Sequence, residues 1–226
     1  MRIVAVDSST DWLSVCAFDG RDAIALRERA GTASSERMLP LLRQALDEAG
    51  WVLAELDGIA YGAGPGSFTG IRIACGVAQG LAFAAHRPVV PVPSLLALAE
   101  QSNERRVVAA LDARMNEAYI AAYARNGEDW DEVIAPRLAD AASLPSLPGR
   151  QWAATGSGFE RLPWLRDAYL DVVQMRYGAD LPRAGAVARL AARVLARGGA
   201  VAAEDAAPLY LRDKVALTTD ERRARR

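Results

Sequence analysis

Three short stretches carry groups able to do chemistry. The first is Gly62-Ala63-Gly64-Pro65-Gly66-Ser67-Phe68-Thr69-Gly70, between a short apolar run and a long one. A glycine-rich turn from strand to helix lets backbone N–H groups and the helix dipole approach an anion, which makes Gly64, Gly66 and Ser67 candidate phosphate contacts. The loop lacks the Gly-Lys-Ser/Thr ending of a P-loop, and its glycine spacing is not that of a dinucleotide-binding turn. Pro65 and Thr69 stand where a nucleophile elbow around Ser67 needs glycine. The alternative is a tight turn whose backbone admits only glycine. The second stretch, Asp7-Ser8-Ser9-Thr10, ends the first apolar run, and Asp7, Ser9 and Thr10 there could hold a metal-bound phosphate. The third, Asp112-Ala113-Arg114, repeats the arrangement in the second half and makes Asp112 a candidate as well. A matched pair of such turns is how a two-lobed phosphotransfer cleft is built. Ser9 and Ala113, however, occupy places where a nucleotide loop prefers glycine, and a side chain there pushes phosphate away from the backbone. Read without a ligand, both stretches are turns formed by Asp and Ser.

Other chemistries have less material. Two cysteines, Cys16 and Cys75, cannot make a disulfide framework or a cysteine-rich zinc site, and the single His86 leaves no histidine pair for a metal. With 27 Lys and Arg against 28 Asp and Glu, the net charge of −1 excludes a general nucleic-acid coat. It still allows RNA chemistry beside a more basic partner. Met1 leads directly into Ile3-Val4-Ala5-Val6, so no secretory leader is expected. The most apolar long stretch, Ile71 to Ala85, is expected to be too short for a membrane span and contains Arg72 and Gln79. A cytoplasmic protein is expected.

The elements that must position these residues follow from the apolar pattern. Strands are expected over 2–6, 13–18 and 23–29, with Asp19-Gly20 as a hairpin turn. A helix capped by Ser34 or Ser35 follows, carrying Pro40 near its first turn and stopping at Gly50. Then come a strand over 58–61, the glycine loop, a helix over 67–86, a strand over 88–92 and a helix over 94–101. After the charged break Asn103-Glu104-Arg105-Arg106, strands are expected over 107–111, 118–123, 130–135 and 151–155, and a last amphipathic helix over 183–197. Both halves open on three strands, which implies a duplicated α/β lobe, residues 1–103 and 104–226.

The helix over 67–86 is apolar nearly all round: Ile71, Ile73, Val77, Leu81 and Phe83 point several ways, with Gly70, Ala74, Gly76, Ala78 and Gly80 between them. Such a helix is buried on more than one side, and its own sheet covers only one. Each interior glycine costs about 1 kcal/mol relative to alanine, a cost that close approach of another helix offsets. Met38, Leu39 and Leu42 of the preceding helix, with Ile73, Gly76, Val77 and Gly80, are therefore candidates for half of a helix bundle completed by another chain. Burial inside this chain alone is the competing reading. The tail Glu221-Arg222-Arg223-Ala224-Arg225-Arg226 reads as a solvated end or a phosphate contact.

At Gly64-Pro65-Gly66-Ser67-Phe68-Thr69-Gly70-Ile71-Arg72-Ile73 the sequence resembles the bacterial TsaB (YeaZ) family, whose members help make threonylcarbamoyladenosine in tRNA. Shorter matches run the whole length: Asp7-Ser8-Ser9-Thr10, Leu39-Pro40, Asp112-Ala113-Arg114-Met115, Gly156-Ser157-Gly158 and Pro208-Leu209-Tyr210-Leu211-Arg212. The resemblance implies an α/β, two-lobed actin/Hsp70/sugar-kinase-like (ASKHA) fold with an RNase H-like core in each lobe. It also implies a division of labour. The paralogous catalytic subunit, TsaD, binds metal through two histidines on its first helix and transfers the threonylcarbamoyl group to tRNA adenosine. In this sequence the corresponding stretch, Thr32 to Leu42, has no histidine, and Ser34 stands where many relatives carry one.

The expected function is thus a non-catalytic subunit of the threonylcarbamoyl transferase, without a metal site. It is expected to pair with TsaD through its first two helices, to work with the ATPase TsaE, and to meet tRNA only through the complex. Alone, the chain is expected to pair with a second copy. No cofactor is expected for the chain by itself, with ATP or ADP a candidate at a joint between partners. The rival expectation is a free-standing ATP-using phosphotransferase or hydrolase with Asp7 and Asp112 in its cleft.

Overall fold

The chain begins with an antiparallel meander, β1 (Ile3–Asp7), β2 (Trp12–Phe18) and β3 (Ala23–Arg29), in a computed structural model that describes residues 1–176 and 180–212. The continuous apolar run of β1 marks a strand covered on both faces. Val4 and Val6 face one core, Ile3 and Ala5 another. At the sheet's edge β3 alternates exposed and half-buried residues, as a strand with one free face does. The helix α1 (Ser34–Ala49) then crosses to β4 (Gly58–Gly64), which pairs parallel with β1; α2 (Phe68–Ala85) leads to β5 (Val89–Pro93), and α3 (Ser94–Gln101) follows. The sheet order is β3-β2-β1-β4-β5.

The second half repeats it. Strands β6 (Arg106–Asp112), β7 (Ala118–Asn126) and β8 (Asp129–Ala139) form the meander, and β9 (Trp152–Thr155) and β10 (Val173–Arg176) add in parallel to give β8-β7-β6-β9-β10. No helix takes the place of α1 between β8 and β9, while the short helices α4 (Ser157–Arg161) and α5 (Pro163–Ala168) take that of α2. The last helix is α6 (Ala184–Ala196). This duplicated order is the α/β fold of the actin-like type.

The layers cross the sequence boundary. Helices α1 and α2 cover the outer face of the first sheet, and α4 and α5 that of the second. Between the sheets lie α3 and α6 in contact with each other; α3 packs on β6 and β7, and α6 packs back on β1 and β2. Division after Asn103 therefore separates the two sheets but not the packing, since α6 and the segment from Val201 to Leu209 return to the first lobe. The apolar side of α6, with Val187 and Leu190 inward, matches the expected stripe, and Arg193 on its other side pairs with buried Glu100 at 2.8 Å.

Several boundaries differ from expectation. Strand β4 runs on through Gly62-Ala63-Gly64, where Gly62 pairs with Val92 and Gly64 with Pro93 of β5 across an irregularity at Ala63. Ser34 is a helical residue, not a cap; it is buried and its hydroxyl donates to the Gly31 carbonyl at 2.8 Å. A 3₁₀ turn over Gly31–Ala33 brings α1 in early, which places Pro40 in its second turn. α2 lies within a residue of the expected 67–86; its eighteen residues, counted from Phe68, are by length and composition alone apolar enough to span a membrane, which corrects the expectation that the apolar stretch from Ile71 to Ala85 is too short. Its inner stripe instead lies on the sheet, while only 33% of the helix is buried in this chain.

Candidate functional site

Between the lobes lies a cleft of about 460 Å³. The turn after β1 supplies Ser9, Thr10 and Asp11 to one wall; the end of β6 and the turn after it supply Asp112, Ala113 and Arg114 to the other. Gly66 and Ser67 of the glycine loop line it as well. Five of the seven sequence candidates for cofactor contacts thus converge on one cleft. Asp7 and Gly64 are not on its lining.

The glycine loop and the first turn grip each other. Ser67 N–H donates to the Ser9 carbonyl at 2.7 Å, and the Ser8 hydroxyl donates to the Gly70 carbonyl at 2.8 Å. A Cβ on Gly66 would stand 2.3 Å from the Ser9 carbonyl oxygen, and one on Gly70 would stand 1.8 Å from that of Ser8. These glycines serve a backbone-to-backbone contact, the tight-turn alternative given above. The Ser67 hydroxyl caps α2 by accepting from Gly70 N–H at 3.4 Å. Gly64, at φ +106°, sits behind the cleft under Leu209 and Ile71.

Asp7 is buried for a related reason. Its carboxylate fills the space left by the missing side chain of Gly62, where a Cβ would stand 1.8 Å from Oδ2. Oδ1 accepts from the Ser9 N–H at 3.0 Å and hydroxyl at 2.8 Å, while Oδ2 has no hydrogen-bond partner. Burial pushes the carboxyl up to about 6 against the lowering effect of the Ser9 bonds. A native value above the unfolded one means that the folded chain holds this proton more tightly. Stability should therefore fall as pH rises from about 4 to about 6, with the full deficit, about 3 kcal/mol, present above that range. Carboxylates held low by their partners, such as Glu28 beside Arg37, act with the opposite sign and below that window. In Asp7→Asn the fall between pH 4 and 6 should disappear, as denaturant unfolding across pH 4–8 will show; an unchanged pH profile would refute the buried-carboxyl assignment.

The second turn is equally self-contained. Asp112 N–H lies 3.3 Å from the Ser157 hydroxyl, Arg114 N–H donates to Asp112 Oδ1 at 2.9 Å, and Arg161 pairs with Oδ2 at 3.3 Å. Sequence reasoning missed Arg161, Tyr119 and the wall formed by Leu209–Arg212, all on the cleft. Only the short match over Pro208–Arg212 hinted at the last, and nothing in it told where the segment lies. These residues do not fit a polyphosphate: the turn amides of Ser9 and Arg114 are bonded to the Asp7 and Asp112 carboxylates, and the loop glycines are packed on carbonyls. Among the described residues no three His, Cys, Asp or Glu side chains gather to hold a metal ion.

The other candidate surface lies on α1 and α2. Met38 and Leu42 are buried in this chain's own core and so correct the expectation; they face β2 and β3 across the inner side of α1. Leu39 is 53% exposed. On α2, Ile73 and Val77 are half-buried, and Gly76 and Gly80 are exposed with nothing within 4 Å of a Cβ built on either. Phe83, one turn on, is 59% exposed. The arginine tail lies outside the described residues.

Comparison with known proteins places this geometry. A family description reading "TsaD: tRNA N6-adenosine threonylcarbamoyltransferase" matches residues 28–167. The tRNA threonylcarbamoyladenosine biosynthesis protein TsaB of Escherichia coli is 36% identical, over 96% of this chain and 96% of its own length. Its namesake in Haemophilus influenzae is 32% identical, over 95% of each. Among solved structures, YeaZ from Pseudomonas aeruginosa superposes with a TM-score of 0.82 at 35% identity, covering 93% of this chain and 99% of that one. A crystal structure of a Pseudomonas aeruginosa protein described as similar to peptidase YEAZ gives 0.84 at 36% identity, with the same coverage. With identity of this order sustained end to end and both lobes superposing, the chain belongs to the TsaB (YeaZ) family.

Proposed function

We propose that this chain is a non-catalytic accessory subunit in the formation of threonylcarbamoyladenosine in tRNA, pairing with a TsaD-type transferase and acting with a TsaE-type ATPase. The observation that carries the pairing is the outer stripe of α2. Gly76 and Gly80 sit four residues apart with open space over both, beside exposed Phe83 and half-buried Ile73 and Val77. Nothing in this chain's packing requires glycine there, and each weakens the helix. Close approach by a helix of another chain is what such a stripe accommodates, and about 1,600 Å² of total buried area is ordinary for a stable pair. With Leu39 added from α1, the proposed contact set is Leu39, Ile73, Gly76, Val77, Gly80 and Phe83. In the absence of the transferase the same surface would pair two copies about a twofold axis.

The non-catalytic assignment is supported by the self-contained turns of the cleft and by a first helix without histidine. The role of the chain is to present a surface, and no phosphate chemistry is routed through its cleft. Reconstitution tests this. With TsaD, TsaE, the adenylate-forming enzyme, ATP and tRNA present, omitting this chain should reduce modified tRNA at least tenfold, and adding it back should restore the product. Full product without it would refute the accessory role. Calorimetry of the isolated chain with Mg-ATP should show no binding heat; saturable heat lost in Asp112→Ala would favour the ATP-using enzyme instead.

A further inference from the structure

The segment from Ala203 to Arg212 has almost no regular structure, yet it is fastened along its length. Gln79 of α2 donates to the Ala203 and Ala206 carbonyls, both at 3.1 Å, and the Tyr61 hydroxyl donates to the Ala207 carbonyl at 2.8 Å. Leu209 N–H donates to the Ala63 carbonyl at 2.7 Å, beside the glycine loop. Arg72 lies over the Phe68 ring at 3.7 Å and donates to the Tyr210 hydroxyl at 2.7 Å. To this point every partner belongs to the first lobe. Arg212 then crosses the cleft: its guanidinium donates to the Ala113 carbonyl at 3.0 Å and pairs with Glu117 at 2.7 Å.

What it reaches is a strained turn. Arg114, Met115 and Asn116 have φ of 64°, 54° and 61°, three successive side-chain-bearing residues in the left-handed region. Such a run persists only where neighbours hold it. Asn116 accepts from Trp164 Nε1 at 3.1 Å and Asp112 pairs with Arg161, both from the second lobe itself. Arg212 is the hold that comes from the other side of the cleft.

The geometry points to a clasp: Ala203–Arg212, anchored on α2 and β4, sets the angle between the lobes, with Arg212 as the catch on the turn over residues 112–117. The segment is gripped by Arg72, Cys75 and Gln79 of α2, whose outer stripe carries Gly76 and Gly80, so this helix is tied to the second lobe through the segment and Arg212. The clasp does not rest on the proposed pairing and is tested on the isolated full chain.

Amide exchange and spin-label distances read it. In Arg212→Ala, exchange over residues 113–117 should rise at least tenfold, while β1 and α2 keep their wild-type rates. Glu117→Gln should move the same amides in the same direction by less. Labels at Glu48→Cys and Glu132→Cys, exposed positions on opposite lobes, should give one narrow distance in the parent chain and a broader one after Arg212→Ala; Cys16 and Cys75 are buried away from label. Unchanged exchange with an unchanged distance distribution would overturn the clasp. So would a uniform rise across all amides, which would make Arg212 a general stability residue.

Discussion

Replacing Gly76 and Gly80 together with leucine should make the isolated chain more stable and leave it unable to pair. Both effects have one cause. A Cβ at either position meets nothing within 4 Å, so leucine adds helix propensity, worth about 1 kcal/mol per site, without a clash inside this chain. A helix packed against that stripe meets two new isobutyl groups instead. Overpacking costs about 1–3 kcal/mol per site, so affinity for a TsaD-type partner, or for a second copy, should fall at least about 30-fold. Denaturant unfolding of the monomer and analytical ultracentrifugation with and without the partner give the two readouts. The opposed signs matter. A variant that merely unfolded would lose pairing as well, but it would not gain stability. If pairing survives in the double variant, the α2 stripe is not the contact.

How much of this could be read from the residues differs from element to element. The three opening strands, α3 and α6 have strong periodicity with clear stops, such as Gly198 after α6, and they lie close to where expected. Gly76 and Gly80, singled out by their spacing on an all-round apolar helix, lie exposed. Met38 and Leu42 misled because the apolar stripe of a helix names the side that is buried, not what buries it. In α1 that side is its own sheet, and of the three candidates Leu39 alone faces out. Asp7 misled for a different reason. Its burial depends on the absent side chain of Gly62, a residue distant in sequence and brought alongside by parallel pairing of β1 with β4. The return of α6 to the first sheet and the path of Ala203–Arg212 leave no periodic trace, since they are fixed by long-range contacts and by backbone carbonyls, which every residue has.

The opposite kind of glycine gives the largest expected loss of stability. Gly70 lies in the first turn of the same helix as Gly76, and an alanine there should destabilise the chain by about 3 kcal/mol or more, lowering the denaturant midpoint without changing the sheet order. Its Cβ would stand 1.8 Å from the Ser8 carbonyl oxygen, a backbone atom that no rotamer can move aside. Relief requires either the turn over Asp7–Thr10 or the start of α2 to shift by more than an ångström. Either shift breaks the Ser8 hydroxyl bond to Gly70 and the Ser67 N–H bond to Ser9. It would also unseat Asp7, whose carboxylate accepts from the Ser9 N–H and hydroxyl. Because α2 would then leave its sheet at a new angle, Gly70→Ala should weaken pairing too, here through loss of the frame behind the stripe. The two substitutions thus separate glycines that let this chain meet itself from glycines left open to another chain. Wild-type stability in Gly70→Ala would mean that the loop and the turn are not in the close contact from which both the cleft and the direction of α2 have been derived.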